Sequence, residues 1–176
     1  MRIFLIGYMG SGKTTIGRRV AKRLELNFVD MDAHIEGRHH KTVAEIFSEL
    51  GEDKFRELER NCLLEVAEYE NVLIATGGGT PCFFDNMDVM NEKGETIYIC
   101  LTPKELSDRL KATNIRKRPI LASYKGNDLE AFIAANLAER EPFYIRAKHV
   151  VSGTDEEMEE KIVEMINTFP LRRDEL

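Results

Sequence analysis

The sequence predicts an α/β protein in which a parallel sheet carries helices on both faces. Five apolar segments of strand length alternate with segments whose apolar residues recur at helical spacing. Two of these strands, 71–75 and 96–101, are continuous apolar runs, which is typical of parallel strands buried on both faces. The first strand also leads through a glycine-rich loop into a helix, as expected for a protein that alternates strands with helices.

The individual elements follow from the same patterns, taken in chain order. The strands are predicted at 2–6, 27–30, 71–75, 96–101 and 149–151. The helices are predicted from the glycine-rich loop to about 24, and then at 42–51, 53–68, 103–112, 129–139 and 156–169. Thr42 and Glu45 form a capping box that begins the second helix, and Gly51 is predicted to end it. Residues 113–128 are polar and rich in helix-breaking residues.

Length and composition limit the possible functions. A chain of 176 residues suits one domain, so we expect a single unit over 1–176. Its net charge of −6 argues against nucleic-acid and anionic-membrane partners. The three cysteines are widely spaced, and with neither a signal peptide nor a long apolar segment in view they predict reduced thiols in a cytoplasmic protein. We expect this protein to be a monomer.

Residues 7–14 read GYMGSGKT and match the phosphate-binding pattern G-x-x-x-x-G-K-[ST]. The glycines allow backbone N–H groups to point at phosphate oxygens, and the following helix presents its positive end. Lys13 would reach the β- and γ-phosphates, and the Thr14 hydroxyl would bind Mg²⁺. A glycine-rich turn without a ligand is the alternative, but the strand before it and the helix after it favour a nucleotide site.

Polar or glycine-rich groups follow two further strands. Asp30 and Asp32 are two apart, so in extended chain their carboxylates would point the same way, one toward Mg²⁺ and one toward a proton. Alternatively, Asp32 only caps the next helix. Glycines 77–79 directly follow the strand at 71–75 and permit close approach of a ligand, although a flexible turn is the other interpretation.

Arginines are the remaining candidates for an anion site. Arg56 lies on the long helix, where the alternative is an exposed ion pair with Glu59. Arg118 lies in the polar segment, whose composition suits either a lid over the phosphates or a solvated basic loop. Arg140 could bind a carboxylate through two hydrogen bonds or could merely end a helix, and we expect Pro142 to break or restart that helix.

Six segments, taken in order, resemble the signatures of the shikimate kinase family over about residues 3–151. They are the loop GYMGSGKTT, FVDMD with IE at 28–36, IF, GE and FRELE between 46 and 59, ATGGG at 75–79, RPIL at 118–121 and REPFY at 140–144. Only the first is specific by itself, and the shared order makes the resemblance specific.

This resemblance implies a fold and an activity. The fold is that of the small P-loop kinases, a three-layer sandwich whose five parallel strands lie in the order 2-3-1-4-5. A mobile lid would cover about 113–127, and a helical region that binds the acceptor would cover about 33–61. The activity is Mg²⁺-dependent transfer of the γ-phosphoryl group of ATP to the 3-hydroxyl of shikimate, a step in aromatic amino acid biosynthesis.

The resemblance also implies a role for each site residue. Thr14 and Asp30 would hold Mg²⁺, and the catalytic residues would be Lys13, Asp32 and Arg118, with Asp32 as the base. ATP would bind to Gly10, Ser11, Gly12, Lys13, Thr14, Thr15, Arg109 and Arg118. Shikimate would bind to Asp32, Arg56, Gly77, Gly78, Gly79 and Arg140.

One segment departs from the family pattern, and two other functions remain open. Residues 152–156 read SGTDE, where many members carry a basic or amide side chain near adenine, so we assign no adenine contact. A kinase for gluconate or a nucleoside monophosphate is the nearest alternative, but paired arginines and triple glycine favour a carboxylated acceptor. A nucleotide-binding module that does not catalyse is the second alternative. A GTPase-type switch would usually need an N-K-x-D motif, which the sequence lacks, and a catalytically dead kinase would be expected to lose Lys13, Asp32 or Arg118, which are all present.

Overall fold

A computed structural model describes residues 1–112 and 127–169 of the chain. Its sheet contains β1 (Arg2–Ile6), β2 (Asn27–Asp30), β3 (Val72–Ala75), β4 (Glu95–Ile99) and β5 (His149–Val151). The strands lie in the order β2-β3-β1-β4-β5, and every neighbouring pair is parallel. This order confirms the fold that the family resemblance implies.

Seven helices surround the sheet in the described part of the chain. They are α1 (Lys13–Arg23), α2 (Met31–His39), α3 (Val43–Val66), α4 (Asn86–Lys93), α5 (Pro103–Ala112), α6 (Asn127–Tyr144) and α7 (Asp155–Thr168). Successive residues of a strand point to opposite faces, and Ile3 to Ile6 of β1 are all fully buried. Both faces of the central strand are therefore covered. Among the helices of the described residues, none combines the length and apolar character that a membrane crossing requires.

The strand register brings the ends of three strands together at one edge of the sheet. Ala75 at the end of β3 is paired with Leu5 of β1 on one side and with Asp30 of β2 on the other. The glycine-rich loop therefore leaves β1 beside the glycines that follow β3. Asp30 is the last residue of its strand, so it lies at the same edge.

Helix α3 contains a break at the position where the sequence predicts a helix end. Gly51 has φ 79° and ψ 171°, which is not helical, although helix continues on both sides of it. The positive φ favours glycine, which has no Cβ to clash in this conformation. Residues 43–50 and 52–66 are thus two helical segments joined at Gly51.

Three features of the structure differ from the sequence predictions. Asp32 lies in the first turn of α2, which begins at Met31, so it is not in extended chain. Helix α4, which we did not predict, fills the connection before β4. Helix α6 continues through Pro142. The proline removes only one backbone donor, and the buried Tyr144 ring holds the last turn of the helix against the protein.

The predicted lid at 113–127 lies outside the described residues, except for Asn127, which begins α6. Arg118 lies outside them as well.

Candidate active site

The loop after β1 has the backbone that a phosphate-binding loop requires. Gly7, Gly10 and Gly12 all have positive φ, at 151°, 79° and 98°. The buried Lys13 side chain turns back along the loop, and its Nζ donates to the carbonyl oxygens of Gly7 and Tyr8 at 2.7 and 2.8 Å. This geometry keeps the ammonium group inside the curve of the loop.

A cavity of about 450 Å³ opens beside this loop. Its wall includes five of the predicted ATP-binding residues in or next to the loop, namely Gly10, Gly12, Lys13, Thr14 and Thr15. Asp30, Asp32, Thr76 and Gly78 contribute the wall at the strand ends, and Arg109, Ala112 and Asp155 contribute another part of it. Ser11 is another predicted ATP-binding residue. Its side chain is fully buried, and its Oγ lies 3.5 Å from Lys13 Nζ.

Thr14 and Asp30, the predicted metal ligands, contact each other directly. Thr14 Oγ1 donates to Asp30 Oδ2 at 2.6 Å, while Asp30 Oδ1 accepts from the Ala33 amide at 3.1 Å. Asp30, not Asp32, therefore caps α2. The described residues contain no cluster of three or more His, Cys, Asp or Glu side chains suited to a metal. Two hard oxygens beside a phosphate loop do fit Mg²⁺, which retains water and binds substrate phosphates.

Asp32 lies on the cavity wall two residues after Asp30. Solvent in the cavity reaches it, but protein surrounds the carboxyl group on its other sides. This desolvation raises the pKa of Asp32 to about 6, and the nearby carboxylates of Asp30 and Glu59 contribute to the rise. Lys13 opposes the shift. The result is a carboxyl group suited to accept a proton near neutral pH.

The ion pair of Arg56 and Glu59 is buried, contrary to the exposed pair that was the alternative interpretation. Their side chains are only 10% and 2% exposed, and Arg56 Nη1 donates to Glu59 Oε2 at 2.8 Å. The other oxygen, Glu59 Oε1, accepts from Thr80 Oγ1 at 2.6 Å. The Phe83 ring covers the guanidinium, with 4.1 Å between Arg56 Cζ and the ring centroid.

Glycines 77–79 form the wall between these charged groups. A Cβ on Gly79 would lie 2.6 Å from Arg56 Nη1, and a Cβ on Gly77 would lie 2.5 Å from Glu59 Oε1. A Cβ on Gly78 would come within 3.2 Å of the Met9 amide nitrogen and 3.5 Å of Arg140 Nη1. At Gly77 and Gly79 charged side chains lie so close to the backbone that a larger residue would have to displace them.

Arg140 reaches the same wall from α6. Its Cζ lies 5.4 Å from the centroid of the Tyr8 ring, and the Tyr144 hydroxyl donates to the Gly78 carbonyl. Burial raises the pKa of both Tyr8 and Tyr144, so both phenols stay protonated. The structure thus brings Arg56 beside Gly79 and Arg140 beside Gly78, so two cations from different helices approach the same glycine segment.

Arg109 lies at another part of the cavity, where its Nη1 is 2.6 Å from Asp155 Oδ1. Asp155 belongs to the acidic segment that departs from the family pattern, and it begins α7. It lines the cavity together with the predicted ATP-binding residues. This ion pair could not be foreseen from the sequence, because its partners come from helices far apart in the chain.

The aromatic and hydroxyl groups that support the site were not predicted from the sequence. Phe83, Thr80 and Tyr8 contact the charged residues, but single aromatic or hydroxyl residues give no periodic signal. The sequence does place two of these residues next to a glycine segment, which was the one available sign that they could support the site. Tyr8 lies within the first segment, and Thr80 directly follows the second.

Comparison with known proteins gives consistent results. A family model described as shikimate kinase matches residues 9–169. A shikimate kinase of Parabacteroides distasonis is 55% identical over 146 residues, which cover 83% of this chain and 84% of that protein. The crystal structure of a shikimate kinase from Bacteroides thetaiotaomicron is similar with a TM-score of 0.90 and 45% identity, over 95% of this chain and 98% of that one.

A second solved structure contains bound shikimate. The shikimate kinase from Acinetobacter baumannii in complex with shikimate has a TM-score of 0.85 and 28% identity to this chain. The similarity covers 96% of this chain and 95% of the other.

Proposed function

The chain belongs to the shikimate kinase family, and we infer that it transfers the γ-phosphoryl group of ATP to the 3-hydroxyl of shikimate. It is therefore a phosphotransferase of aromatic amino acid biosynthesis. The observation that carries this function most directly is the position of Asp32. This residue lines one cavity together with the phosphate loop, and it lies beside the glycine wall formed by residues 77–79, which Arg56 and Arg140 also approach.

We propose that the loop and the start of α1 bind the phosphates of ATP. The backbone N–H groups of Gly10 to Thr15 would contact phosphate oxygens at the positive end of the helix. Lys13 would exchange its present carbonyl partners for the β- and γ-phosphates, where its charge offsets charge that develops during transfer. Arg109 would lie near the nucleotide, since it lines the same cavity.

Thr14 and Asp30 would hold Mg²⁺ at this site, Asp30 through a water molecule. When bound, this ion supplies positive charge beside the transferring phosphate. The 2.6 Å contact between the two side chains supports the assignment, because it places their oxygens side by side. We propose Mg²⁺ specifically because hard oxygen donors beside phosphates are its usual partners.

Asp32 would act as the general base. As the 3-hydroxyl oxygen of shikimate forms its bond to the γ-phosphorus, the hydroxyl proton passes to the Asp32 carboxylate. The bond between the γ-phosphorus and the bridging oxygen breaks, and ADP leaves with the electron pair. A pKa of about 6 leaves Asp32 mostly ionised at neutral pH, yet basic enough to take the proton.

Arg56 and Arg140 would bind the shikimate carboxylate, and the backbone of Gly77 to Gly79 would contact the ring and its hydroxyls. The buried Glu59 would hold the Arg56 guanidinium in place. Two cations on different helices fix both the position and the orientation of a small acid, which is what phosphoryl transfer mainly requires.

Three further expectations from the sequence belong to this proposal. Arg118 would close with the lid over the phosphates and exclude water from the reaction. We also propose that the protein works as a monomer and in the cytoplasm, where a biosynthetic kinase meets ATP.

A coupled assay of ADP release with Mg-ATP tests the proposed function. Shikimate, gluconate and AMP are offered as acceptors at equal concentration, and the phosphorylated product is identified by mass spectrometry. We expect turnover with shikimate to exceed turnover with the other two. Faster phosphorylation of gluconate or AMP would contradict the proposal, as would the absence of any phosphoshikimate.

A further inference from the structure

The Arg56 guanidinium has two edges that can bind a carboxylate through paired hydrogen bonds. The main chain of Gly79 packs closely against the guanidinium, since a Cβ there would lie 2.6 Å from Nη1, 2.7 Å from Nη2 and 2.8 Å from Cζ. Nη1 also donates to the buried Glu59. A ligand carboxylate would therefore pair most readily with the edge formed by Nε and Nη2, which does not include Nη1.

A carboxylate of the chain itself occupies that second edge. Glu52 Oε1 accepts from Arg56 Nε at 3.3 Å and from Nη2 at 3.2 Å. These contacts are longer than the 2.8 Å contact with Glu59, and the Glu52 side chain is 56% exposed, against 2% for Glu59. The break at Gly51 directly precedes Glu52, and a Cβ added to Gly51 would meet no atom within 4 Å, so this end of the helix has open space around it.

We propose that Glu52 competes with the acceptor carboxylate for the Nε and Nη2 edge of Arg56. This inference rests on the proposed function, and it makes Glu52 a residue that sets acceptor affinity. While no acceptor is bound, Glu52 pairs with the buried Arg56 guanidinium. When the acceptor carboxylate enters, the Glu52 side chain rotates away into solvent. Its exposure makes that exchange easy, whereas Glu59 stays in place because it is buried and also bonded to Thr80.

Substitution of Glu52 distinguishes competition from simple support of the arginine. An exposed ion pair at this spacing on a helix is worth at most about a fivefold change in an equilibrium. With Glu52→Gln we therefore expect KM for shikimate to fall about two- to fivefold, while KM for ATP and kcat stay within about 1.5-fold of their original values. If Glu52 instead orients Arg56 for the acceptor, KM for shikimate rises, and an unchanged KM also overturns the proposal.

Glu57→Gln is the matched control. Glu57 lies on the same helical segment and is also exposed, but it pairs with Lys54 at 2.6 Å and has no contact with Arg56 among those the structure describes. It removes the same charge from the same helix, so an equal fall in KM for both variants would show a general charge effect and would refute competition at Arg56.

An acceptor without a carboxylate gives a second readout. The methyl ester of shikimate cannot displace Glu52 through an ion pair, so Glu52→Gln should leave its dissociation constant unchanged in calorimetric titration. If Glu52→Gln increased the affinity for the acid and for the ester by the same factor, the result would contradict the proposal. The proposed function is tested separately, by turnover of shikimate in the unaltered protein. If that protein binds shikimate without phosphorylating it, only the proposed function fails, and dissociation constants replace KM. If it does not bind shikimate, both fail.

Discussion

The surroundings of Asp32 raise the pKa of its carboxyl group from 3.8 to about 6. Desolvation by the protein around it is the largest cause, followed by the charges of Asp30 and Glu59. The oxygens of neighbouring Asp30 are instead engaged in hydrogen bonds, which they accept from Thr14 and from the α2 backbone. Two aspartates only two positions apart are thus prepared for different tasks by their contacts.

A titration of activity follows from this pKa. Asp32 must be ionised to accept a proton. We therefore expect kcat/KM for shikimate to reach its maximum above about pH 7 and to fall as pH drops through about 6. Below that value the decline should approach tenfold per pH unit. Initial rates between pH 5 and 9 measure this profile.

Asp32→Asn tests the same assignment without a change of pH. The asparagine cannot take a proton, so kcat should fall by about 10²- to 10⁴-fold while the dissociation constant of ATP stays within about twofold. Asp128→Asn, on the exposed first turn of α6, is the matched control and should retain full activity. A variant at Asp32 that keeps its turnover would exclude the base role.

Single residues also show where sequence reasoning ends. The positions of the cations could be predicted, since Arg56 and Arg140 lie within recognisable segments. Their burial could not, because the pattern around Arg56 is equally that of an exposed helical pair. Burial depends on Thr80 and Phe83, which approach from another part of the chain after folding.

At the scale of elements, the segment 77–79 lies at the centre of the proposed acceptor side of the site. It leaves β3 at the edge where three strands end and passes between Glu59, Arg56 and Arg140. Gly79 has φ −87° and ψ −18°, which any residue can adopt. Its requirement for glycine is therefore one of space and not of backbone conformation.

Gly79→Ala should displace the Arg56 guanidinium, because the new methyl group would lie only 2.6 to 2.8 Å from its Nη1, Nη2 and Cζ atoms. We expect KM for shikimate to rise by at least about tenfold, which corresponds to about 1.4 kcal/mol, with a much smaller change in KM for ATP. Steady-state kinetics with each substrate varied in turn measures the difference.

Gly37→Ala is the control for this change. Gly37 lies in α2 with nothing within 4 Å of the added Cβ, so alanine should be neutral for activity and should stabilise the helix by up to about 1 kcal/mol. If Gly79→Ala behaved in the same way, the close packing of Arg56 against the loop would be wrong.

The elements themselves were predictable to different degrees. Segments with strong periodicity or a capping box, such as the helix that begins after Thr42, begin where the sequence indicates. Helix α4 was missed because its methionines and charged residues form no clear apolar stripe. Helix α6 continues past Pro142 because tertiary contacts of Tyr144 outweigh a local helix-breaking signal.

At the scale of the whole molecule, the five strands could be predicted from apolar runs, but their order could not. Local patterns do not say which strands become neighbours, so the order 2-3-1-4-5 came from family resemblance and is confirmed by the sheet. The site depends on this order. It places β3 beside β1 and β2 beside β3, and so brings Asp32 and the glycine wall to the same end of the sheet as the phosphate loop.

Ligand binding should stabilise the entire fold, and this effect separates the two substrates. A ligand at 100 times its dissociation constant adds about 2.7 kcal/mol to the free energy of unfolding. Loss of a charge-assisted pair costs about 2 kcal/mol of binding. In Arg140→Ala, the same concentration of shikimate should therefore add only about 1 kcal/mol, while ADP adds its full amount. Thermal unfolding with each ligand measures both values.

Arg146→Ala provides the matched comparison. Arg146 is an exposed arginine just beyond α6 that pairs with Asp88, so its loss should leave both ligand effects unchanged. Equal losses of ADP and shikimate stabilisation in Arg140→Ala would mean that Arg140 serves the fold generally and does not bind the acceptor.

The glycine wall also limits how this protein can acquire a new acceptor. The centre of the proposed acceptor side is main chain, so no side chain there can be exchanged to reshape it, and any enlargement at Gly77 or Gly79 meets a charged group. Laboratory evolution toward another substrate would have to proceed through Arg56, Arg140 and their partners, or through a change in the length of the segment. We expect libraries that randomise 77–79 alone to yield mainly inactive variants and few with altered preference.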